Sequence, residues 1–372
     1  MKTVRLGIIG LGNMGQAHAR SILAGKIPRL RLAAVADAVP ARLAHYPDLP
    51  GFATDRELIA SGLVDAVLIA TPHYYHTASG IAALDAGLHV LVEKPISVQR
   101  ADCERLIAAH RRRDVVFAAM FNQRTDPIFK KLRQLVRGGT LGETRRISWT
   151  VTDWFRPAAY YALGAWRATW AGEGGGVLLN QCPHNLDLFS WIFGQPKRVR
   201  GFCGFGRYHD IEVEDDVTAY FELPGGAHAT FIASTGEAPG ANRLEVVADR
   251  GRVVVENGAL RFTRNLVPTS EFSRSTKKPF SAPPTRERTF TFKGSGGQHV
   301  EILRNFADAI LRGKPLIAPA AEGILSVELA NAILLSSWTG KPVNLPLDSA
   351  LYARWLKRKI AASRKAPRAA GR

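Results

Sequence analysis

From Val4 to Met120, short apolar runs alternate with stretches of helical periodicity. Val4–Ile9, Leu30–Ala36, Asp65–Ala70, Leu88–Val92 and Val115–Met120 read as buried strands, and Gln16–Ala24, a stretch ending at Ala86 and Ala101–Arg112 as helices. Strands alternating with helices predict a doubly wound parallel sheet. Pro72 and Pro95 each end a strand, because proline withholds the next ladder donor. Beyond Met120 the rhythm changes. Asp126–Arg137 reads as a helix stopped by Gly138-Gly139. Alternating runs follow at Arg145–Asp153, Arg198–Phe205, Val217–Glu222, His228–Ser234, Arg243–Ala248, Arg252–Glu256, Ala259–Phe262 and Thr289–Phe292. Turns such as Pro224-Gly225-Gly226, Asp249-Arg250-Gly251 and Asn257-Gly258 separate several of them, which predicts a large, mostly antiparallel sheet. Pro268–Pro284 reads as a long loop, and His299–Leu311 and Ala321–Trp338 as two closing helices. The expected fold class is α/β. Residues 1–121 form the parallel domain, 122–348 a second α/β domain, and 349–372 a basic tail.

A chain of 372 residues is long enough for two cores. Its net charge is +18, and from Ser349 onward it carries eight basic residues and no acidic one. With no aromatic-laced groove or recognised nucleic-acid module beside it, that tail reads as a solvated helix end and a frayed terminus. Neither nucleic acid nor membrane is an expected partner. No apolar run reaches the roughly 18 residues of a membrane span, and a strand starting at Val4 leaves no signal peptide. Cys103, Cys182 and Cys203 lie far apart and read as reduced thiols of a cytoplasmic protein, with no metal site.

The first strand runs into Gly10-Leu11-Gly12-Asn13-Met14-Gly15 and then a helix. This is the strand–GxGxxG–helix context of a dinucleotide site. Gly10 permits the tight turn, Gly12 lets backbone approach a pyrophosphate, and Gly15 lets helix and strand pack closely, with Asn13 and Met14 in the same turn. Asp37 ends the second strand about 20 residues on, the spacing at which an acid takes the ribose hydroxyls. A carboxylate there repels a 2′-phosphate, and Arg42 is the only close cation. NAD is therefore expected, with NADP possible. Thr71, Pro72, His73 and His76 follow the third of these strands at the ligand edge of the sheet, where either histidine could touch the nicotinamide ribose or serve as a cap.

Glu93-Lys94-Pro95 ends the fourth of these strands, so Lys94 stands at the edge where open α/β sheets bind ligands. A glycine run, Gly174 to Gly176, leads into Asn180, His184 and Asp187, expected on one helical face at i, i+4 and i+7. A lysine ammonium can stabilise a developing alkoxide, and a histidine can move the alcohol proton. Alone, a histidine such as His184 is more often a satisfied structural residue. Trp149, Trp154, Trp166 and Trp170 mark an aromatic stretch that suits either the wall of a sugar pocket or a core.

Together the fingerprint, Ala70-Thr71-Pro72, Glu93-Lys94-Pro95, Trp166-Arg167 and the glycine run ending in His184 resemble the Gfo/Idh/MocA family, the glucose–fructose oxidoreductase and inositol dehydrogenase-like enzymes. The resemblance covers Val4 to about Leu347. It implies an N-terminal Rossmann domain, a C-terminal α/β domain with an open sheet, bound NAD or NADP, hydride exchange with a sugar or polyol, and a homodimer or homotetramer packed through the sheet. It makes Lys94 and His184 the catalytic pair, with Glu93 and Pro95 placing the lysine. Glu93, Thr71, Pro72, His76 and Asn122 then join the cofactor site, and Arg124, Trp166 and Arg167 the substrate side. Asn180 stands where the family often has an Asp that pairs with the histidine, so the inositol dehydrogenase proton relay does not transfer directly. The expected activity is an NAD-dependent sugar or cyclitol dehydrogenase. A redox-neutral NAD-dependent glycosidase and a non-catalytic NAD-binding regulator are the alternatives.

Overall fold

The computed structural model describes residues 3–363. Its first sheet is built from β1 (Val4–Ile9), β2 (Leu30–Ala36), β3 (Gly51–Phe52), β4 (Ala66–Ile69), β5 (His89–Val92) and β6 (Phe117–Ala119). All neighbouring pairs are parallel, in the order β3-β2-β1-β4-β5-β6. The helices between them are α1 (Asn13–Leu23), α2 (Pro40–Leu43), α3 (Asp55–Ala60), α4 (His73–Asp85) and α5 (Arg100–Ala109). The strand order reverses between β1 and β4, which opens a crevice at their carboxyl ends.

The second sheet follows α6 (Pro127–Arg137). Its strands are β7 (Thr144–Val151), β8 (Arg198–Phe205), β9 (Glu214–Glu222), β10 (His228–Ser234), β11 (Asn242–Ala248), β12 (Gly251–Glu256), β13 (Ala259–Asn265), β14 (Thr285–Thr291) and β15 (Val343–Asn344). The order is β14-β13-β12-β11-β7-β10-β9-β8-β15, antiparallel except where β7 meets β10. Strand alternation lines up one buried row, Val199-Phe221-Ala229-Ile147-Val246-Val253-Phe262. That row shares a core with α6, α8 (Pro183–Phe193) and α11 (Gly323–Thr339). Rows on the opposite face, such as Phe202-Thr218-Ile232-Thr150-Arg243, are half-buried or exposed.

The remaining helices are α7 (Ala158–Tyr161), α9 (Thr269–Ser275), α10 (Gln298–Arg312) and α12 (Ser349–Ser363). Late in the chain, α10 returns to the first sheet and packs Ile302, Leu303 and Phe306 beside Leu6, Ile8 and Ile22. Within the expected 268–284 loop, α9 forms because Asp249 takes both the Ser270 N–H (2.8 Å) and its hydroxyl (3.0 Å), fixing the first turn. Strand β14 begins at Thr285, four positions before the expected Thr289, paired along β13. Much of the expected tail is also structured: α12 buries Tyr352 and Leu356 in the second core. Residues 364–372 of that tail lie outside the described residues. Ala320–Thr339 has the length and mean hydropathy, 1.2, of a membrane span, contrary to the expectation from apolar runs, yet 72% of it is buried inside this fold.

Candidate active site

The crevice at the ends of β1 and β4 has the shape a dinucleotide requires. Gly10 has φ +92°, and a Cβ on it would lie 2.8 Å from Ala70 backbone. A Cβ on Gly15 would lie 1.9 Å from the Gly10 carbonyl oxygen, so the close packing of α1 on β1 requires glycine there. A Cβ on Gly12 would meet nothing within 4 Å. Space therefore opens at the first turn of α1, the turn of Asn13 and Met14, where N–H groups and the positive dipole end suit a pyrophosphate. Asp37 faces this loop. Its carboxylate accepts from Leu11 N (2.6 Å) and Val39 N (2.8 Å), with Arg42 Nη1 at 3.2 Å. The Thr71 hydroxyl and the Asn122 side-chain amide oxygen are buried without a hydrogen-bond partner, as groups that await a ligand would be. These residues fit NAD.

Two of the expected cofactor residues are engaged elsewhere. Both ring nitrogens of His76 face carbonyl oxygens, Pro95 and Thr71, each at 2.8 Å. With no nitrogen left for a cofactor, this buried ring ties the end of β4 to the end of β5. Glu93 is buried against His18 Nε2 at 2.7 Å. Burial raises its pKa, but the His18 hydrogen bond and the charges of His18, Lys94 and His299 win, holding it down to about 2. Glu93 also accepts from the Lys94 backbone N–H at 3.1 Å and thus anchors the lysine rather than a ligand. Pro72 caps α4.

Lys94 reaches across to the second domain. Its ammonium donates to the Asn180 backbone carbonyl at 2.8 Å. Burial lowers its pKa, partly opposed by the charges of Glu93 and Glu173. His184 is the second residue of α8, 9% exposed, and meets the Phe121 ring edge-on at 6.2 Å. Burial and then the charge of Lys94 push its pKa down to about 3, and the positive end of α8 acts in the same direction. The ring is neutral at ordinary pH, and its Nδ1 is buried without a partner.

The expected helical face holds only in part, because α8 begins at Pro183 and Asn180 precedes it. The Asn180 side chain turns away from His184. Its amide donates to Glu173, and its oxygen accepts from the Tyr160 hydroxyl at 3.3 Å. Asp187 does not orient His184 either. It takes Arg124 in a buried two-pronged pair (2.8 and 2.6 Å), with Glu322 on the same guanidinium. Arg124 is 2% exposed and is not available to a substrate as expected; it braces α8 against the segment after β6. Asn122 also donates to Gln298 (2.5 Å) at the start of α10. The tryptophans divide. Trp149 and Trp170 are core residues, whereas Trp154 and Trp166 are half-buried and carry the guanidiniums of Arg156 and Arg167.

Sequence reasoning missed Glu173, Tyr160, His18 and Gln298. Glu173 stands directly before the glycine run, its only sequence signal. It is 2% exposed, takes the Ala168 N–H at 2.6 Å, and its pKa is raised by burial. The aromatic segment meets α4 through Tyr74 Oη to the Trp170 carbonyl (2.7 Å) and His73 Nδ1 at the Glu173 carbonyl (3.3 Å). These contacts bring the two domains together over Lys94.

The parallel sheet, its glycine turn and the lysine–histidine pair across the crevice define a Rossmann oxidoreductase that binds a nicotinamide dinucleotide. The comparisons agree. Residues 4–121 match the oxidoreductase family with an NAD-binding Rossmann fold, and residues 129–254 match the GFO/IDH/MocA C-terminal domain. The chain belongs to the Gfo/Idh/MocA family. It is 26% identical to the myo-inositol 2-dehydrogenase of Thermotoga maritima over 88% of this chain and 95% of that one. Its fold is that of the WlbA dehydrogenase from Bordetella pertussis, solved with NADH and UDP-GlcNAcA (TM-score 0.77, 22% identity, 93% of this chain and 100% of that one). A levoglucosan dehydrogenase solved with NADH and L-sorbose is similar to the same degree (TM-score 0.78, 20% identity, 93% and 100%).

Proposed function

We propose that this protein is an NAD-dependent dehydrogenase that oxidises a ring hydroxyl of a sugar, sugar derivative or cyclitol, with Lys94 and His184 as its catalytic residues. The observation that carries this reading is the half-buried Lys94 ammonium at the crevice, beside a neutral His184 whose Nδ1 has no protein partner. Gly10, Gly12, Gly15, the first turn of α1, Asp37, Thr71 and Asn122 would hold the dinucleotide, which supplies the hydride acceptor when bound. Lys94 donates a charge-assisted hydrogen bond to the substrate oxygen and stabilises the negative charge that grows there. His184, uncharged, accepts the hydroxyl proton. The myo-inositol, levoglucosan and UDP-GlcNAcA named for the relatives are all ring compounds with secondary hydroxyls, which supports the same class. We place the enzyme in the cytoplasm and infer an oligomer formed through the open face of the second sheet.

The test is reduced-nicotinamide absorbance after mixing the purified protein with NAD, or separately NADP, and a panel of sugars and cyclitols. Absorbance growth with NAD is expected. Growth with NADP alone would overturn the role of Asp37. Silence with both, from protein that binds NAD, would overturn the dehydrogenase.

A further inference from the structure

Given the dehydrogenase reading above, the residues around Tyr160 bear on the charge of its substrate. Two guanidiniums lie against the Tyr160 ring, Arg167 at 4.7 Å and Arg156 at 5.0 Å from its centroid. Each also covers a tryptophan, Arg167 on Trp166 (4.7 Å) and Arg156 on Trp154 (5.3 Å). Stacking of this kind fixes the plane of a guanidinium and leaves its N–H edge for a planar anion.

Three other arginines that are withdrawn from solvent are held by carboxylates: Arg124 by Asp187, Arg100 by Glu328 and Arg146 by Glu245, while half-buried Arg200 lies on the Phe202 ring without one among the described residues. Arg167 and Arg156 have no carboxylate partner among the described residues. Their guanidiniums donate only to the Tyr160 hydroxyl (2.9 Å) and the Phe155 carbonyl (2.9 Å), and the Arg156 Nε is buried with no partner. The nearby carboxylate, Glu173, has one oxygen on the Asn180 amide and the other on the Ala168 N–H. The arginines belong to the reactive centre by a short chain of contacts. Arg167 bonds Tyr160 Oη, Tyr160 Oη bonds Asn180 Oδ1, and the Asn180 carbonyl holds Lys94 Nζ.

We propose that the substrate carries a carboxylate on the same ring as the reacting hydroxyl, as in a hexuronate or a carboxylated cyclitol, and that Arg167 binds it, with Arg156 as a second cation of the same rim. A guanidinium fork matches the two coplanar oxygens of a carboxylate. The carboxylate takes no part in bond making. It anchors the ring so that its hydroxyl meets Lys94 and His184.

The test is calorimetric titration of the NADH-saturated protein with D-glucuronate and D-galacturonate, the parent hexoses D-glucose and D-galactose, and D-glucose 6-phosphate. The uronates are expected to bind at least about tenfold more tightly than their hexoses. Arg167→Gln should abolish that ratio and Arg167→Lys should restore part of it, with melting temperature and NADH affinity as checks on folding. If Arg167 only braced Tyr160, acid and neutral ligands would weaken together and the ratio would survive, which overturns the proposal. So would hexoses binding as well as uronates, no uronate binding at all, or the phosphate ester binding more tightly than either uronate. Turnover is scored separately. Arg167-dependent uronate binding without NAD reduction keeps the anion site and sinks the dehydrogenase. NAD reduction on hexoses with no uronate preference does the reverse.

Discussion

Lys94 and His184 act on each other before any substrate arrives. Each is a base in a buried site, and the charge of Lys94 adds to burial in keeping His184 uncharged. Burial lowers the pKa of Lys94, and the charges of Glu93 and Glu173 oppose that shift. On the proposed reading, the Lys94 ammonium would hold the alkoxide and the uncharged His184 imidazole would take the proton. The pH dependence of kcat/KM should show this division. His184 titrates near 3 instead of the ordinary 6.5, so the rate of alcohol oxidation should stay level as the pH falls through 6.5. Lys94 titrates below its ordinary 10.5, so the rate should drop on the alkaline side before that value is reached. An acid limb centred at 6.5 would mean that His184 is not the proton acceptor. Lys94→Ala should lower kcat by about 10²–10³-fold, the usual cost of removing an oxyanion donor, while NAD binding followed by fluorescence stays the same. Equal losses in both would make Lys94 a cofactor residue only.

One buried carboxylate shapes the segment that carries Asn180 and leads into α8 with His184. Glu214, on β9, takes the N–H groups of Gly176 (2.8 Å) and Leu178 (3.1 Å) with one oxygen, while the other is buried without a partner. Burial, only partly offset by those N–H donors, raises its pKa from 4.5 to about 7. Between those two values the folded chain keeps a proton that the unfolded chain has released. The stability due to this group is therefore complete below 4.5 and lost as the pH rises through 7. Glu214→Gln preserves an acceptor oxygen for the two N–H groups and cannot titrate. Thermal melts across this range should show the wild type losing ground to the variant as the pH rises, and parallel curves would remove Glu214 from the pH response. Nothing around Glu214 in the sequence reveals this role, since its partners lie some 40 positions away and meet it only through the fold. By contrast, the strand–GxGxxG–helix unit and its Asp37 were legible because their geometry is local. Lys94 was legible from its place at a strand end. The protein partners of Arg124 and His76 were hidden for the same reason that Glu214 was missed. A polar residue near a site looks functional until the fold supplies Asp187 for the one and two backbone carbonyls for the other.

At the scale of the whole molecule, the described residues cover the second sheet on one face only. Helices α6, α8 and α11 bury the row from Val199 to Phe262, and the opposite face keeps Phe202 56% and Tyr220 40% exposed. Register places Phe202 beside Thr218 and Ile232, and Tyr220 between Arg200 and Thr230, so the exposed aromatics sit among β-branched and charged side chains. A contiguous face of this character is a protein–protein surface more often than a solvated one, and strands offering the same pattern to a second copy satisfy two-fold symmetry. Sedimentation should therefore find a dimer or a higher even-numbered assembly. Phe202→Glu combined with Tyr220→Lys sets charges in that surface without touching the buried row, and should shift the distribution toward monomer. A wild-type monomer, or a double variant that sediments unchanged, would refute assembly through this sheet. If the dimer forms, its consequence reaches the active site. Strand β9 carries Tyr220 on its open face and Glu214 beneath the glycine run, so the copy packed outside would brace the same strand that sets the segment carrying Asn180 and leading into α8 with His184.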